Sequence, residues 1–450
     1  MRNKSMRTIL SIMSLMLMLG CMEEDPNSLD PSEIFIKYFG TTDTEGVVDL
    51  VQTSSDEFLL LGFTNNTTAN DYDFYLIKTD SAGNGIWQQT YGYDDGVVGN
   101  AESQDVPTSI HLFNNDQNAM AIGTSDISDT LRIFMVNIDL STGEAVDTFS
   151  YQFYDDRSAT AIDDQGYKST LGADVVFDEV NNQFIVLGSV ETWSSDVYLT
   201  DPQSIFLMSL DASLDWHASD FEPTWIDITG LRLEDTGVKL VQDEGEYFYV
   251  ATVTIPVGSG VGYGNRDVFI SEFNPLSGTP GVNNYYGTSV PDVAASVIAY
   301  GNDLLITGTS GNEQNDQAFF LNVPKSLPKT VAGGFVIDVV EDMGIIAEGS
   351  QGKDLVRLSN GDITIAGQLN SYTAPGSDRE FKENEIVLFR VDGFGNLDTD
   401  NFRVYGSEDN DQANAIILRE DGALVIGATV DFGSTSMMSL LKTNSRGEFK

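Results

Sequence analysis

Short apolar runs alternate along this chain with polar breaks that carry glycine. One stretch shows the pattern in full. Phe58-Leu59-Leu60-Leu61-Gly62 is apolar throughout, long enough for a strand and too short for a helix. Asp73-Phe74-Tyr75-Leu76-Ile77-Lys78 is a second such run. Thr79 to Gly85 follows with turn chemistry, its glycines free to take positive φ. Ile86 to Tyr91 then alternates as an outer strand does, and Gly46 to Val51 supplies one more strand upstream. The pattern predicts four antiparallel strands in about 60 residues, the size of a large propeller blade.

The unit returns along the whole chain. Its landmark is a second strand that ends in Gly or Ala: Gly62, Gly123, Gly188, Ala251, Gly308, Gly367 and Gly427. The third strand follows each time, at Phe74 to Lys78, Ile133 to Ile138, Ile205 to Leu210, Val268 to Phe273, Ala318 to Val323, Ile386 to Val391 and Met437 to Lys442. The fifth unit is least regular, with Pro324 and Pro328 after its third strand. The last unit stops where the others begin their outer strand. Glu33 to Gly40 is an outer strand with no blade before it. The expected fold is therefore all-β: a propeller of about seven four-stranded blades over residues 33–450, closed when the N-terminal strand completes the last blade.

Composition narrows the class. Lys and Arg number 23 against 69 Asp and Glu, a net charge of −46, which makes nucleic acid a poor partner. The single cysteine, Cys21, excludes an intrachain disulfide and a cysteine-rich metal site. Residues 1–20 read as a targeting segment, with Arg2, Lys4 and Arg7 before an apolar run from Thr8 to Leu19. That run is too short to span a membrane stably.

Leu17-Met18-Leu19-Gly20-Cys21 resembles a bacterial lipobox. The resemblance implies cleavage before Cys21 and lipid modification of that residue. The acidic run Met22-Glu23-Glu24-Asp25 resembles the export signal of Bacteroidetes-type surface lipoproteins. It implies an outer-membrane lipoprotein facing the cell exterior, with residues 21–32 as an acidic, flexible tether. The string from Asp73 to Asp80, then Gly83-Asn84, Trp87 and Tyr91-Gly92, resembles repeats found in surface lipoproteins of that kind with propeller folds. Asp392 to Asn396 and Asp421-Gly422 repeat parts of it. Val136 to Gly143 is similar to the blade motif of pyrroloquinoline-quinone-like propellers, where an Asp, a Gly and a Trp lock neighbouring blades. Here Trp87 alone occupies the Trp position well.

Candidate chemistry is sparse. An Asp precedes the first strand of each unit, at Asp43, Asp105, Asp174, Asp235, Asp292, Asp354 and Asp411. Its recurrence points to capping of each blade crossing rather than to a cation ring. His111 and His217 read as strand or edge residues, and no nucleophile elbow, zinc motif or phosphate loop is present, so no catalytic residue is assigned. Asp94-Asp95 and Glu408 to Asp411 are acidic enough for calcium but lack the spacing of a twelve-residue calcium loop. No other cofactor is expected.

Loop length says more. The second-to-third loops and the blade crossings share one face and are long, for example Phe63 to Tyr72, Ser189 to Ser204, Thr252 to Arg266, Gln368 to Asn384 and Tyr93 to Val106. Tyr72, Tyr93, Trp193, Tyr198, Tyr263 and Tyr372 fall in or beside them as candidate ligand contacts. The expected role is binding or scaffolding by a monomeric ring, with a glycan or an envelope protein as partner. A glycan lyase or hydrolase working in the propeller funnel is the alternative. A structural subunit of an envelope assembly is another.

Overall fold

A computed structural model describes residues 34–66, 71–93, 103–127, 130–155, 166–191, 203–213, 222–255, 262–263, 265–311, 316–329, 349–373, 380–407 and 409–449. The segments read as signal and tether, with Cys21, lie outside the described residues. The chain forms a ring of seven radial sheets. Blade one is Thr44–Gln52, Phe58–Asn66, Asp71–Thr79 and Gly85–Tyr91, running from the channel outward. Blades two, three, four and six repeat this order, with inner strands Gln104–Phe113, Thr170–Asp178, Thr236–Asp243 and Gly349–Arg357. Blade five shows three strands among the described residues, Asp292–Tyr300, Asp303–Ser310 and Gln317–Pro324. It is the unit whose prolines marked it as irregular.

Blade seven closes the ring. Its inner three strands are Gln412–Leu418, Leu424–Asp431 and Ser436–Thr443, and its outer strand is Phe35–Phe39. The pairing is antiparallel, from Phe35 opposite Lys442 to Phe39 opposite Met438. The expected closure is what the fold contains.

Each blade is apolar on both faces because each is sandwiched between two others. In Phe58 to Leu61, Phe58 and Leu60 pack towards blade seven, with Val425 and Met438. Leu59 and Leu61 pack towards blade two, with Ala119 and Phe134. A sheet covered on both sides reads as a continuous apolar run instead of an alternating one. The core is accordingly divided into seven wedges, one at each blade junction, including the junction across the closure.

The Gly landmark has a steric cause. The second strand does not end there but runs on, to Asn66 in blade one and Ile127 in blade two. The glycine sits beside a bulge in the inner strand. A Cβ on Gly62 would lie 2.0 Å from the Gly46 carbonyl oxygen, and one on Gly123 2.1 Å from that of Val106. Gly188, Gly308 and Gly367 meet the same obstruction at 1.9 to 2.1 Å. In these five blades the absence of a Cβ permits the approach, whereas blades four and seven place Ala251 and Ala428 opposite the bulge.

Candidate functional site: a charged girdle in the central channel

The bulge decides what faces the channel. In each inner strand the pairing skips one residue, from Val47 to Asp49 in blade one and from Gly237 to Lys239 in blade four. The residues that follow the bulge are Asp49, Ser109, Asp174, Lys239, Ser296, Asp354 and Ala415. A bulge re-aims the side chain beside it, and the first six of these line one cavity of about 580 Å³ walled by all seven inner strands. The cavity extends along the inner strands to Tyr300, Arg357 and Leu418, so it belongs to the face of the short turns. The long loops lie at the other face.

The carboxylates of the girdle tie one blade to the next. Asp49 Oδ2 accepts from Ser109 Oγ at 3.0 Å and from the Ile110 amide at 3.1 Å. Asp174 Oδ2 accepts from the Leu240 amide at 2.7 Å. Asp354 Oδ2 accepts from the Ile416 amide at 2.8 Å, and its Oδ1 from Ser296 Oγ at 2.7 Å. Lys239 supplies the positive charge. Its Nζ lies 3.4 Å from Asp49 Oδ2 and 3.9 Å from Asp174 Oδ1, and it donates to Ser109 Oγ at 3.2 Å. Burial works against the ammonium, but Asp174, Asp49 and Asp354 outweigh it and hold Lys239 above the ordinary lysine value. Burial pushes the Asp354 carboxyl up, against the bonds it accepts from Ile416 and Ser296.

His111 stands in the channel wall beside this girdle, a position its sequence context as a strand residue did not reveal. Burial lowers its pKa, so it is neutral at pH 7 and serves as a polar wall rather than a second cation. His217 lies outside the described residues.

The Asp expected before each first strand resolves into two different positions. Asp174 and Asp354 belong to the girdle. Asp43 is a surface residue that accepts from Thr41 Oγ1. Asp105, Asp235, Asp292 and Asp411 hold the crossings, joined there by Glu45 in blade one, Thr170 in blade three and Ser350 in blade six. Asp105 Oδ2 accepts from the Tyr93 amide at 2.8 Å, Asp292 Oδ2 from Thr288 at 2.5 Å and Asp411 Oδ2 from Ser407 at 2.5 Å. Glu45 Oε1 accepts from Thr41 at 2.9 Å, so the closing strand enters blade one through the same joint. These four carboxyls are buried and their pKa values are raised by burial. Capping of the crossing is thus the role of this position, with Glu, Thr or Ser standing where Asp is absent.

A second lock sits at the outer rim. Trp87 Nε1 donates to the Leu140 carbonyl at 3.2 Å, under the turn at Gly143. Trp225 does the same to Pro275 at 3.0 Å, under the turn at Gly278. Trp87 is therefore not alone in the Trp position. Blade three carries an equivalent at the start of its outer strand, Trp225–Leu233. Tyr405 reaches the Gly447 carbonyl with its hydroxyl, as Tyr91 reaches that of Gly143 at 2.7 Å.

The aromatic candidates fare unequally. Tyr72 and Tyr372 lie on strands, Asp71–Thr79 and Ile363–Thr373, because these strands run further into the expected loops. Tyr72 packs on Phe63 with ring centroids 5.5 Å apart. The side chain of Tyr372 is outside the described residues, as are Trp193 and Tyr198 altogether. Tyr93 is built into the ring: it packs edge-on against Phe134 at 5.7 Å and accepts from Arg132 Nη1 at 3.4 Å. Tyr263 is 52% exposed. Its amide donates to Asp267 Oδ2 at 2.6 Å and its hydroxyl to the Lys329 carbonyl at 3.1 Å. Of the calcium candidates, Asp411 is committed to its crossing, while Glu408, Asp94 and Asp95 lie outside the described residues. Among the described residues no group of three or more His, Cys, Asp or Glu side chains is placed to hold a metal ion.

No protein-family model matches this chain, and no curated protein matches it by sequence. Solved structures match by shape. YCF48 from Cyanidioschyzon merolae is 11% identical, with 90% of this chain and 98% of that one covered and a TM-score of 0.46. The β-propeller domain of the Trilobed protease from Pyrococcus furiosus is 9% identical, with 90% and 99% covered and a TM-score of 0.43. Pyrococcus horikoshii acylaminoacyl peptidase is 11% identical with a TM-score of 0.44, and the chain spans 52% of its length. The class is a closed, seven-bladed all-β propeller, a fold compatible with binding or scaffolding.

Proposed function

We propose that this chain is a lipid-anchored binding protein of the bacterial outer membrane, held through Cys21 and facing the cell exterior. It contacts a glycan, or failing that an envelope protein, through the face that carries the long loops. One observation carries the reading: Tyr263 is a half-exposed aromatic ring pinned at both ends, by Asp267 at its amide and by Lys329 at its hydroxyl. An aromatic platform fixed before a ligand arrives loses little freedom on binding and suits the apolar face of a sugar ring. Binding is favoured over catalysis because the channel carboxylates are engaged with neighbouring backbone amides and Lys239.

The test is a glycan array on the soluble form starting at Asp25, followed by Tyr263→Ala and Trp193→Ala. The reading expects saturable binding that Tyr263→Ala weakens at least tenfold without lowering Tm. Silence on the array moves the partner to a protein, to be found by crosslinking at the cell surface. Cys21→Ser is expected to release the protein from the membrane fraction. Retention there would remove the anchor from the proposal.

A further inference from the structure

The face of the short turns carries a second feature, independent of the long-loop face. Between blades five, six and seven the channel cavity continues into a groove of about 790 Å³, sharing Tyr300, Arg357 and Leu418 with it. Four arginines line this groove, Arg357, Arg390, Arg419 and Arg446, in a chain whose net charge is −46. Arg357 is the informative one. Its guanidinium carbon lies over the Tyr300 ring, 3.5 Å from the centroid, and the side chain makes no hydrogen bond or ion pair among the described residues. A chain with three acids for every base would pair an arginine easily. This one is held in place by stacking while its N–H donors stay available.

Arg390 adds a second donor. It is 6% exposed, its Nη2 donates to the Ser445 carbonyl, and its buried Nε has no partner. An unmet buried guanidinium N–H is costly, and a negative charge in the groove would offset that cost without touching the shielded Nε. Arg419 is already engaged with Asp421 at 3.2 Å.

We propose that this groove binds a sugar acid: a monoanionic carboxylate on a hydroxylated ring, as in a uronate oligosaccharide. Three features select that class. A guanidinium fork matches a planar carboxylate. The four arginines are offset by Asp362, Asp398 and Glu420 in the groove and by Asp421 beside it, a near balance that disfavours a phosphate dianion. Those same acids, with Asn360 and Asn401, offer partners for ligand hydroxyls. The volume lies within the range of about 300–1,000 Å³ usual for small-molecule sites.

The experiment is calorimetric titration of the full-length protein in detergent micelles with a trisaccharide carrying one galacturonate, a monoanion. A neutral trisaccharide serves as control. Saturable binding of the acid alone is expected, reduced at least tenfold by Arg357→Gln and weakened by raised salt, with Tm unchanged. Arg446→Gln, at an exposed position, is expected to weaken it as well and serves if Arg357→Gln fails to fold. Tyr263→Ala should leave this binding intact, which separates it from the long-loop reading. No heat with the monouronate trisaccharide would overturn the assignment, as would equal binding by Arg357→Gln. Displacement of the uronate by millimolar phosphate would overturn the monoanion argument.

Discussion

Lys239 Nζ and Asp49 Oδ2 meet at 3.4 Å although they belong to blades four and one, on opposite sides of the ring. The contact draws the inner strands together across the channel rather than along it. Two further carboxylates, Asp174 and Asp354, favour the same ammonium. Lys239→Met is therefore expected to leave three carboxylates without their counter-charge in the channel. The pair is partly exposed, so the cost should fall between the about 1 kcal/mol of a surface pair and the about 3–5 kcal/mol of a buried one. Urea unfolding measures it, and adding Asp49→Asn should recover part of the loss. A shift below 1 kcal/mol would mean that channel water already solvates the carboxylates.

Gly62 and Gly427 are the landmark glycines of blades one and seven but stand in different registers, Gly62 opposite Val47 before the bulge and Gly427 opposite Ala415 after it. A Cβ on Gly62 would meet a backbone oxygen at 2.0 Å, whereas one on Gly427 first meets Val47 Cγ1 at 3.0 Å. Gly62→Ala must displace backbone and should cost about 1–3 kcal/mol or more, as overpacking does. Gly427→Ala asks only for a small movement of a side chain. Thermal melts of the two variants should rank them in that order.

Acid dependence follows from the crossings. Burial raises the folded-state pKa of Glu45, Asp105, Asp292 and Asp411 above the unfolded value. Their contribution to stability is full below about pH 4 and is lost as pH rises through the raised folded values. Turn carboxylates act in the other direction. Bonds from Asn84 lower Asp80, and a bond from Asn401 lowers Asp398. Their contribution is present at neutral pH and lost as pH falls. Asp292→Asn removes one group of the first kind. Its Tm deficit relative to the parent should therefore be largest near pH 4 and shrink by pH 7.5. A deficit that stays constant over this range would show that Asp292 titrates alike in the folded and unfolded chain.

Trp225 and Trp87 each close a blade junction from the outer rim with one indole hydrogen bond. Both are half-buried, so truncation to Ala should cost about 2–3 kcal/mol, below the 3–5 typical of a fully buried Trp. Trp225→Phe keeps the packing and drops the bond, and should cost about 1 kcal/mol. Chemical denaturation of the pair, read by circular dichroism, separates the two contributions.

The blades were legible because each second and third strand is buried on both faces and so reads as an unbroken apolar run, as Phe58 to Leu61 does. Strand ends were less so: Tyr72 and Tyr372 read as loop because hydrogen bonding continues after the apolar run stops. The girdle was hidden for a different reason. Asp174 and Asp105 look alike in sequence, each an acid before two apolar residues or a short run, yet a bulge sends one to the channel and the other to a crossing. The bulge leaves no residue of its own type: Val48, Ala173 and Lys353 all occupy it. What marked it was the facing glycine, whose meaning is clear only once the carbonyl oxygen beside it is known. Trp225 was missed because it begins its outer strand after a break that resembles loop, whereas Trp87 follows the regular turn at Gly83.

The closing strand also fixes how the ring would bear load. Residues 1–33 join the ring at Phe35–Phe39, which is held to Ser436–Thr443 by five facing pairs of residues. Tension arriving from that side reaches this seam before it reaches any wedge of the core. Peeling the strand away would leave the inner three strands of blade seven and the other six blades in place. The seam is therefore the first part of the ring that a pull on the N-terminal segment would load.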